Sequence, residues 1–292
     1  MILITGGTGF IGRHLATRLK EAGEEVRVTA RGVRRADLPP GIQFVTSNAA
    51  TGEGLAEAMA GVDKVVHLVA IIREVGTQRF DTVNRQGAEN VAQAAQAAGV
   101  KHFVHQSALG ADPDPTYPYL ASKWMGEQAV IRSGVPYTIL RPSIIFGPDD
   151  EFINTLAKLV RWNLVVPIPG RGNTGFQPLW VEDLVRCIMA VLKDDAYTGR
   201  TVELGGPEHL TYKEIVGIVK ETMGLRRPYV HIPIGVMRPI VFLMERALPR
   251  PPVTTRQLDM LAKDNITDLD SVQKSFGFAP KKLREGIGYV RR

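Results

Sequence analysis

The sequence predicts an α/β chain: a doubly wound parallel sheet with a smaller, discontinuous C-terminal lobe. Three observations lead there. Short β-rich runs alternate with helical stretches through the first half, as βαβ units require. The helical stretches carry apolar residues every three or four positions. After Arg141-Pro142 that rhythm breaks, and prolines and glycines crowd the segment to Pro178.

In order along the chain, strands are expected at 1–5, 25–30, 43–46, 64–69, 102–106 and 136–140. The first helix is carried by Ile11, Leu15, Leu19 and Ala22 and stops at Gly23, a C-terminal glycine cap. A second covers 83–98 and stops at Gly99. A helix at 182–193 and a strand at 200–204 are expected to return to the main domain. Thr211-Tyr212-Lys213-Glu214 is a capping box that opens the next helix. The expected division is 1–141 plus about 174–206 for the main domain, and about 142–173 plus 207–292 for the lobe. The lobe should lie over the carboxyl edge of the sheet, where such folds bind ligands.

Composition narrows the class. The chain has 292 residues, 44% hydrophobic and 23% charged, with no repeat or low-complexity tract. The single cysteine, Cys187, excludes an internal disulfide and reads as a small buried hydrophobe in an apolar helical run. Met1-Ile2-Leu3-Ile4-Thr5 already reads as a strand, so no signal or transit peptide is expected and the compartment should be cytoplasmic. No apolar run is long enough to span a bilayer. Ile240-Val241-Phe242-Leu243-Met244 reads as a packed helix, the other reading being an apolar surface for a partner or a lipid-like substrate. The net charge of +6 gathers partly at Arg31, Arg34 and Arg35, and partly in a solvated tail of Lys281, Lys282, Arg284, Arg291 and Arg292. A nucleic-acid partner is not expected, for no basic stripe interleaves with aromatics. His67, His102 and His105 lack metal-ligand spacing, so no metal is expected either.

The most informative segment is Gly6-Gly7-Thr8-Gly9-Phe10-Ile11-Gly12, between the first strand and the first helix. In that context a glycine triplet is a dinucleotide-binding, Rossmann-type turn. Gly6 allows the turn, Gly9 lets backbone amides approach a pyrophosphate, and Gly12 lets helix and strand pack closely. The helix N-terminus then offers free N–H groups to the phosphates. Where NAD-binding folds carry an acidic residue for the ribose 2′-hydroxyl, this chain reads Thr29-Ala30-Arg31-Gly32. A guanidinium there grips a 2′-phosphate, so NADP(H) is expected ahead of NAD(H). The cofactor set expected from this reading is Gly6, Thr8, Gly9, Phe10, Ile11, Gly12, Arg31, Asn48, Leu68, Val69, Ala70, Lys123 and Pro142.

With these features on the page, the chain resembles an extended short-chain dehydrogenase/reductase, the NAD(P)-dependent epimerase/dehydratase type. The resemblance is carried by the glycine spacing, by Tyr119-Leu120-Ala121-Ser122-Lys123 as the Tyr-x-x-x-Lys pair, and by Ser107 after the fifth strand. It is also carried by Asn84 in the helix after the fourth strand, by Arg141-Pro142 with Gly147-Pro148, and by Trp180-Val181-Glu182-Asp183. It covers nearly the whole chain. Departures are Asn48, where an adenine-contacting aspartate is usual, and Gln106-Ser107 in place of Ser-Ser. Val253-Thr254-Thr255-Arg256-Gln257-Leu258, Asp264-Asn265-Ile266 and Gly277-Phe278-Ala279-Pro280 further resemble the branch containing the NADPH-binding accessory subunit of respiratory complex I.

The resemblance implies Ser107, Tyr119, Lys123 and Asn84 as the catalytic set. Tyr119 and Lys123 lie four apart and share one helix face. The Lys123 ammonium, together with an oxidised nicotinamide, is expected to favour the Tyr119 phenolate, making it an acid/base for a substrate oxygen held by Ser107. Two functions follow. The first is an oxidoreductase or epimerase acting on a small molecule at a hydroxyl or carbonyl carbon. The second is a non-catalytic nucleotide-binding subunit, peripherally associated with a membrane complex.

Overall fold

The computed structural model describes residues 1–32, 38–248 and 253–291. They form two compact units, Met1–Pro142 with Val181–Glu203, and Ser143–Trp180 with Leu204–Arg292. Residues 174–180 and 204–206, expected with the main domain, group with the second unit.

The first unit opens with β1 (Ile2–Thr5), α1 (Phe10–Glu21), β2 (Val26–Ala30) and β3 (Gln43–Thr46). Then come α2 (Leu55–Met59), β4 (Lys64–His67) and a π-helical turn at Asp81–Gln86 that runs into α3 (Gly87–Ala97). β5 (His102–Gln106), α4 (Pro118–Arg132) and β6 (Tyr137–Pro142) complete its first segment. The chain passes through the second unit as β7 (Ile145–Phe146), α5 (Phe152–Trp162), β8 (Val166–Pro169), β9 (Gly175–Phe176) and β10 (Leu179–Trp180). It returns for α6 (Val181–Lys193) and β11 (Thr201–Leu204). The remainder holds β12 (Leu210–Thr211), α7 (Tyr212–Thr222), β13 (Tyr229–Ile232), α8 (Ile234–Ala247), α9 (Thr255–Met260) and shorter helical pieces.

One sheet of seven strands, in the order β11-β6-β5-β4-β1-β2-β3, organises the first unit. β1 pairs in parallel with β2 and β4, and β4–β5, β5–β6 and β2–β3 are parallel too. β1 is buried along its whole length, as a central parallel strand covered on both faces must be. The order reverses at β1, and ligands of such sheets bind at the carboxyl ends beside that switch point. On one face Leu3, Val65 and Phe103 pack with Ala88, Val91, Ala92 and Ala95 of α3 and Val130 of α4. Toward α6, Glu182 accepts from His14 and from Arg18, both at 2.6 Å, and so ties α6 to α1. Cys187 on α6 is fully buried.

The second unit has its own core, with Ile153, Leu156 and Val160 of α5 against Ile215, Val216 and Val219 of α7 and Val166 and Ile168 of β8. The capping box at α7 forms: Thr211 Oγ1 accepts the Glu214 N–H at 3.2 Å, and the Glu214 carboxylate accepts the Thr211 N–H at 2.7 Å. The expectation that 240–244 is a packed helix needs correction. The helix is there, yet only Val241 is buried; Ile240 and Leu243 are 50% and 65% exposed.

Candidate functional site

The glycine turn is shaped by its own packing. Gly6 has φ +74°, a left-handed conformation that a side chain would strain, and its N–H donates to Thr29 O at 2.9 Å. A Cβ on Gly12 would stand 2.5 Å from both Gly6 O and Gly7 Cα, so helix and strand approach only because that atom is absent. Gly7, which sequence reasoning passed over, is equally constrained. Its Cβ would lie 2.5 Å from Val28 Cγ1. Only the tertiary neighbour on β2 reveals that. Gly9 differs: it is exposed, and its Cβ would meet nothing closer than Gly6 O at 3.2 Å. The fold therefore constrains Gly9 less than Gly12, whereas an anion resting on the backbone would demand glycine there.

Gly9 caps α1 without a side-chain hydrogen bond, and no acidic residue sits in the first turn. The N–H groups of Phe10, Ile11 and Gly12 thus lack intrahelical partners and point the positive end of the helix outward. A diphosphate fits this donor set. Thr8, Phe10 and Ile11 are all partly exposed. Val69 approaches Gly6, whose Cβ would be 3.2 Å from Val69 N, so Leu68-Val69-Ala70 runs beside the turn. Arg31 is exposed immediately after β2; Arg34 and Arg35 lie outside the described residues. Asn48 Oδ1 accepts the Ala50 N–H at 3.1 Å, closing a turn and leaving one lone pair for another donor. Pro142 is buried, and its carbonyl accepts from Leu109 N at 2.9 Å.

A second group of side chains gathers where β5 ends and α4 begins. Lys123 is buried and donates from Nζ to Gln106 O at 2.7 Å. The next residue is Ser107, 3% exposed, whose Oγ has no partner among the described residues. Tyr119, one turn before Lys123 on α4, packs edge-on against Phe80 at 5.9 Å. Ser107 and Lys123 are thus brought together, and Tyr119 shares the helix face with Lys123. Asn84 fixes a backbone group. Its side chain exchanges hydrogen bonds with the Ile71 backbone, at 2.9 and 3.0 Å, and donates to Ser122 Oγ at 2.9 Å. Ser122 in turn donates to Tyr119 O at 2.7 Å, so Asn84 joins the 71 loop to α4. Asn84 lies within the π-helical turn, an irregularity frequent at functional sites.

Further members were missed in sequence. Glu127 is buried and accepts from Arg141 at 2.8 and 2.6 Å, a bidentate pair. The four-residue spacing Tyr119, Lys123, Glu127 carried that signal. Behind the site His67 and His105 stack at 5.4 Å, with His67 Nδ1 2.7 Å from Thr5 Oγ1. Burial, together with the nearby Lys123 charge, lowers His67 to about 3, so both imidazoles stay neutral.

Burial governs Lys123 and Tyr119 as well. Lys123 is pushed down to about 8, opposed by Glu127. Tyr119 is pushed up to about 12. Burial of the ring is the cause, and it works against the phenolate that the Lys123 ammonium and an oxidised nicotinamide together are expected to favour. Tyr119 is therefore a phenol near neutral pH, a proton donor before it is an acceptor.

Known proteins resemble this chain over most of its length. Over 301 residues the chain is 28% identical to the mitochondrial NADH dehydrogenase [ubiquinone] 1 alpha subcomplex subunit 9 of Arabidopsis thaliana, covering 96% of this chain and 74% of that one. It is 30% identical to a ceramide reductase of Caulobacter vibrioides, over 80% of this chain and 74% of the other. The UDP-glucuronic acid 4-epimerase of Bacillus cereus, solved with UDP-glucuronic acid and NAD, has the same fold at a TM-score of 0.77 and 20% identity, covering 98% and 96% of the two chains. No helix among the described residues is long and apolar enough to cross a membrane. Residues 2–205 match the pattern of the NAD dependent epimerase/dehydratase family, and the chain belongs to that family.

Proposed function

We propose that this protein is an NADP(H)-dependent oxidoreductase or epimerase acting at a hydroxyl or carbonyl carbon of a small molecule. The observation that carries the proposal is the buried, unpartnered Ser107 hydroxyl beside the Lys123 ammonium. A buried hydroxyl without a partner costs stability unless a ligand oxygen completes it. A fold that only held a nucleotide would gain nothing from leaving it open.

The residues divide into two tasks. The amides at Phe10, Ile11 and Gly12 would hold the diphosphate, Arg31 the 2′-phosphate, and Lys123 the nicotinamide ribose. The nicotinamide, when bound, supplies or accepts hydride. Ser107 then donates a hydrogen bond to the substrate oxygen and orients it. Tyr119, a phenol at neutral pH, gives its proton to that oxygen as the oxygen gains charge, or takes it back in the reverse direction. Lys123 stabilises the resulting phenolate. Asn84 keeps α4 in place through Ser122, which makes it a positioning residue. NADP(H) is preferred to NAD(H) on the strength of Arg31, which has no ion-pair partner among the described residues.

A second reading has one observation in its favour: the match to an NADH dehydrogenase subunit spans nearly the whole chain. On that reading the nucleotide stabilises the fold by mass action and the complex is the function. Turnover separates the two. Assays with sugar nucleotides, quinones and simple carbonyls, run on wild type and Tyr119→Phe, support chemistry if turnover appears and is lost in the variant. Turnover in neither protein, with nucleotide bound by both, favours the structural reading.

A further inference from the structure

The two units differ sharply in charge. The first carries 18 basic and 18 acidic residues, the second 18 and 12, so the whole net charge of +6 belongs to the second. Within it the stretch 226–256 holds six arginines and a single acidic residue, Glu245. That stretch contains α8, the helix whose apolar residues lie outside. Val236, Ile240 and Leu243 are 52%, 50% and 65% exposed, and their spacing of four and three sets them on one stripe. Val241, pointing away from that stripe, is buried and fastens the helix to its unit. The one acidic side chain on α8 is engaged, for Glu245 accepts from Thr255 Oγ1 at 2.8 Å. Arg246 stands over the Phe242 ring at 4.7 Å, its charge beside the apolar stripe. Arg238, farther round, pairs with Asp259 at 3.2 Å.

We infer that α8 is a docking surface for an anionic lipid bilayer. An exposed stripe of branched aliphatic residues with Arg246 at its edge has the chemistry of a helix that lies in the headgroup layer. The stripe enters the acyl boundary while Arg246 meets lipid phosphates. A cation-rich 31-residue segment with one acid, itself engaged, supplies the charge complementarity. A helix of 14 residues rests on the surface and does not span it. The inference does not depend on the chemistry proposed above, since it concerns the second unit alone.

The test uses the full chain in co-sedimentation with vesicles of phosphatidylcholine alone, and of phosphatidylcholine containing one-third phosphatidylserine. Binding should be at least about tenfold tighter to the anionic vesicles and should weaken at high salt. Leu243→Glu and Arg246→Glu, both at exposed positions, should each reduce it by about tenfold or more while leaving thermal unfolding unchanged. An environment-sensitive fluorophore on Leu243→Cys gives an independent readout, because the native Cys187 is fully buried and does not compete for label. Its emission should shift to the blue and brighten on the anionic vesicles. Equal affinity for both vesicle types, binding indifferent to Leu243→Glu, or a fluorophore that stays in water overturns the inference. So does a dimer in solution that Leu243→Glu dissociates without any vesicle binding, since the stripe would then be a self-interface.

Discussion

Gly12→Ala tests the nucleotide turn where its packing is tightest. In an exposed helix interior this change stabilises by about 0.5–1 kcal/mol, because glycine costs backbone entropy. Here the added methyl would lie 2.5 Å from Gly6 O, 2.5 Å from Gly7 Cα and 2.7 Å from Gly7 C. All three are backbone atoms, so no rotamer change relieves them and α1 must shift from β1. Overpacking of this kind costs typically about 1–3 kcal/mol. Three backbone contacts put this case at the upper end and the net loss at about 2 kcal/mol. For a chain of this size that lowers Tm by about 4–8 °C. The assay is thermal unfolding by circular dichroism without nucleotide, with Gly9→Ala as companion. A Cβ on Gly9 meets only Gly6 O, at 3.2 Å, so its variant should stay within about 1 kcal/mol of wild type. A Gly12→Ala protein with an unchanged or higher Tm would refute the packing argument.

Three more outcomes are expected. Tyr119→Phe should lower turnover by about 10²–10⁴-fold while NADPH affinity is kept; steady-state kinetics with a nucleotide titration checks both. Arg31→Ala should weaken NADPH by about tenfold or more and leave NADH unchanged, a charge-assisted pair being lost from one ligand only; equal effects on both would place the 2′-phosphate elsewhere. For Lys123 the folded value, about 8, lies below the ordinary 10.5, so its charge opposes folding below pH 8. Stability of the nucleotide-free protein should therefore rise by about 3 kcal/mol as pH climbs from 8 to 10.5, and Lys123→Met should flatten that rise in denaturant titrations.

The sheet and the turn could be read from the sequence because their signals are local. β1, β2, β4 and β5 are apolar runs bounded by glycine or helix starts, and Gly23 and Gly99 end their helices where expected, with φ +80° and +70°. Gly6, Gly9 and Gly12 were legible by spacing, and Ser107, Tyr119 and Lys123 by resemblance. What escaped depends on tertiary neighbours. Gly7 needs Val28 on another strand, Glu127 needs Arg141, and Asn84 meets the Ile71 backbone only once the π-helical turn has formed. The upward push on Tyr119 escaped for the same reason, since a four-residue spacing reports proximity and says nothing of desolvation. At α8 the apolar run gave the helix correctly, but its exposure depends on what the rest of the unit leaves uncovered.

The account stands on an anion seated against the backbone at Gly9, and calorimetry with Gly9→Val addresses that seat directly. Wild-type protein should bind NADPH with one-to-one stoichiometry, and Gly9→Val, folded by circular dichroism, should bind it at least about a hundredfold more weakly, because its side chain takes the space the pyrophosphate needs. Equal NADPH affinity in the two proteins, or no binding by wild type, would contradict the account.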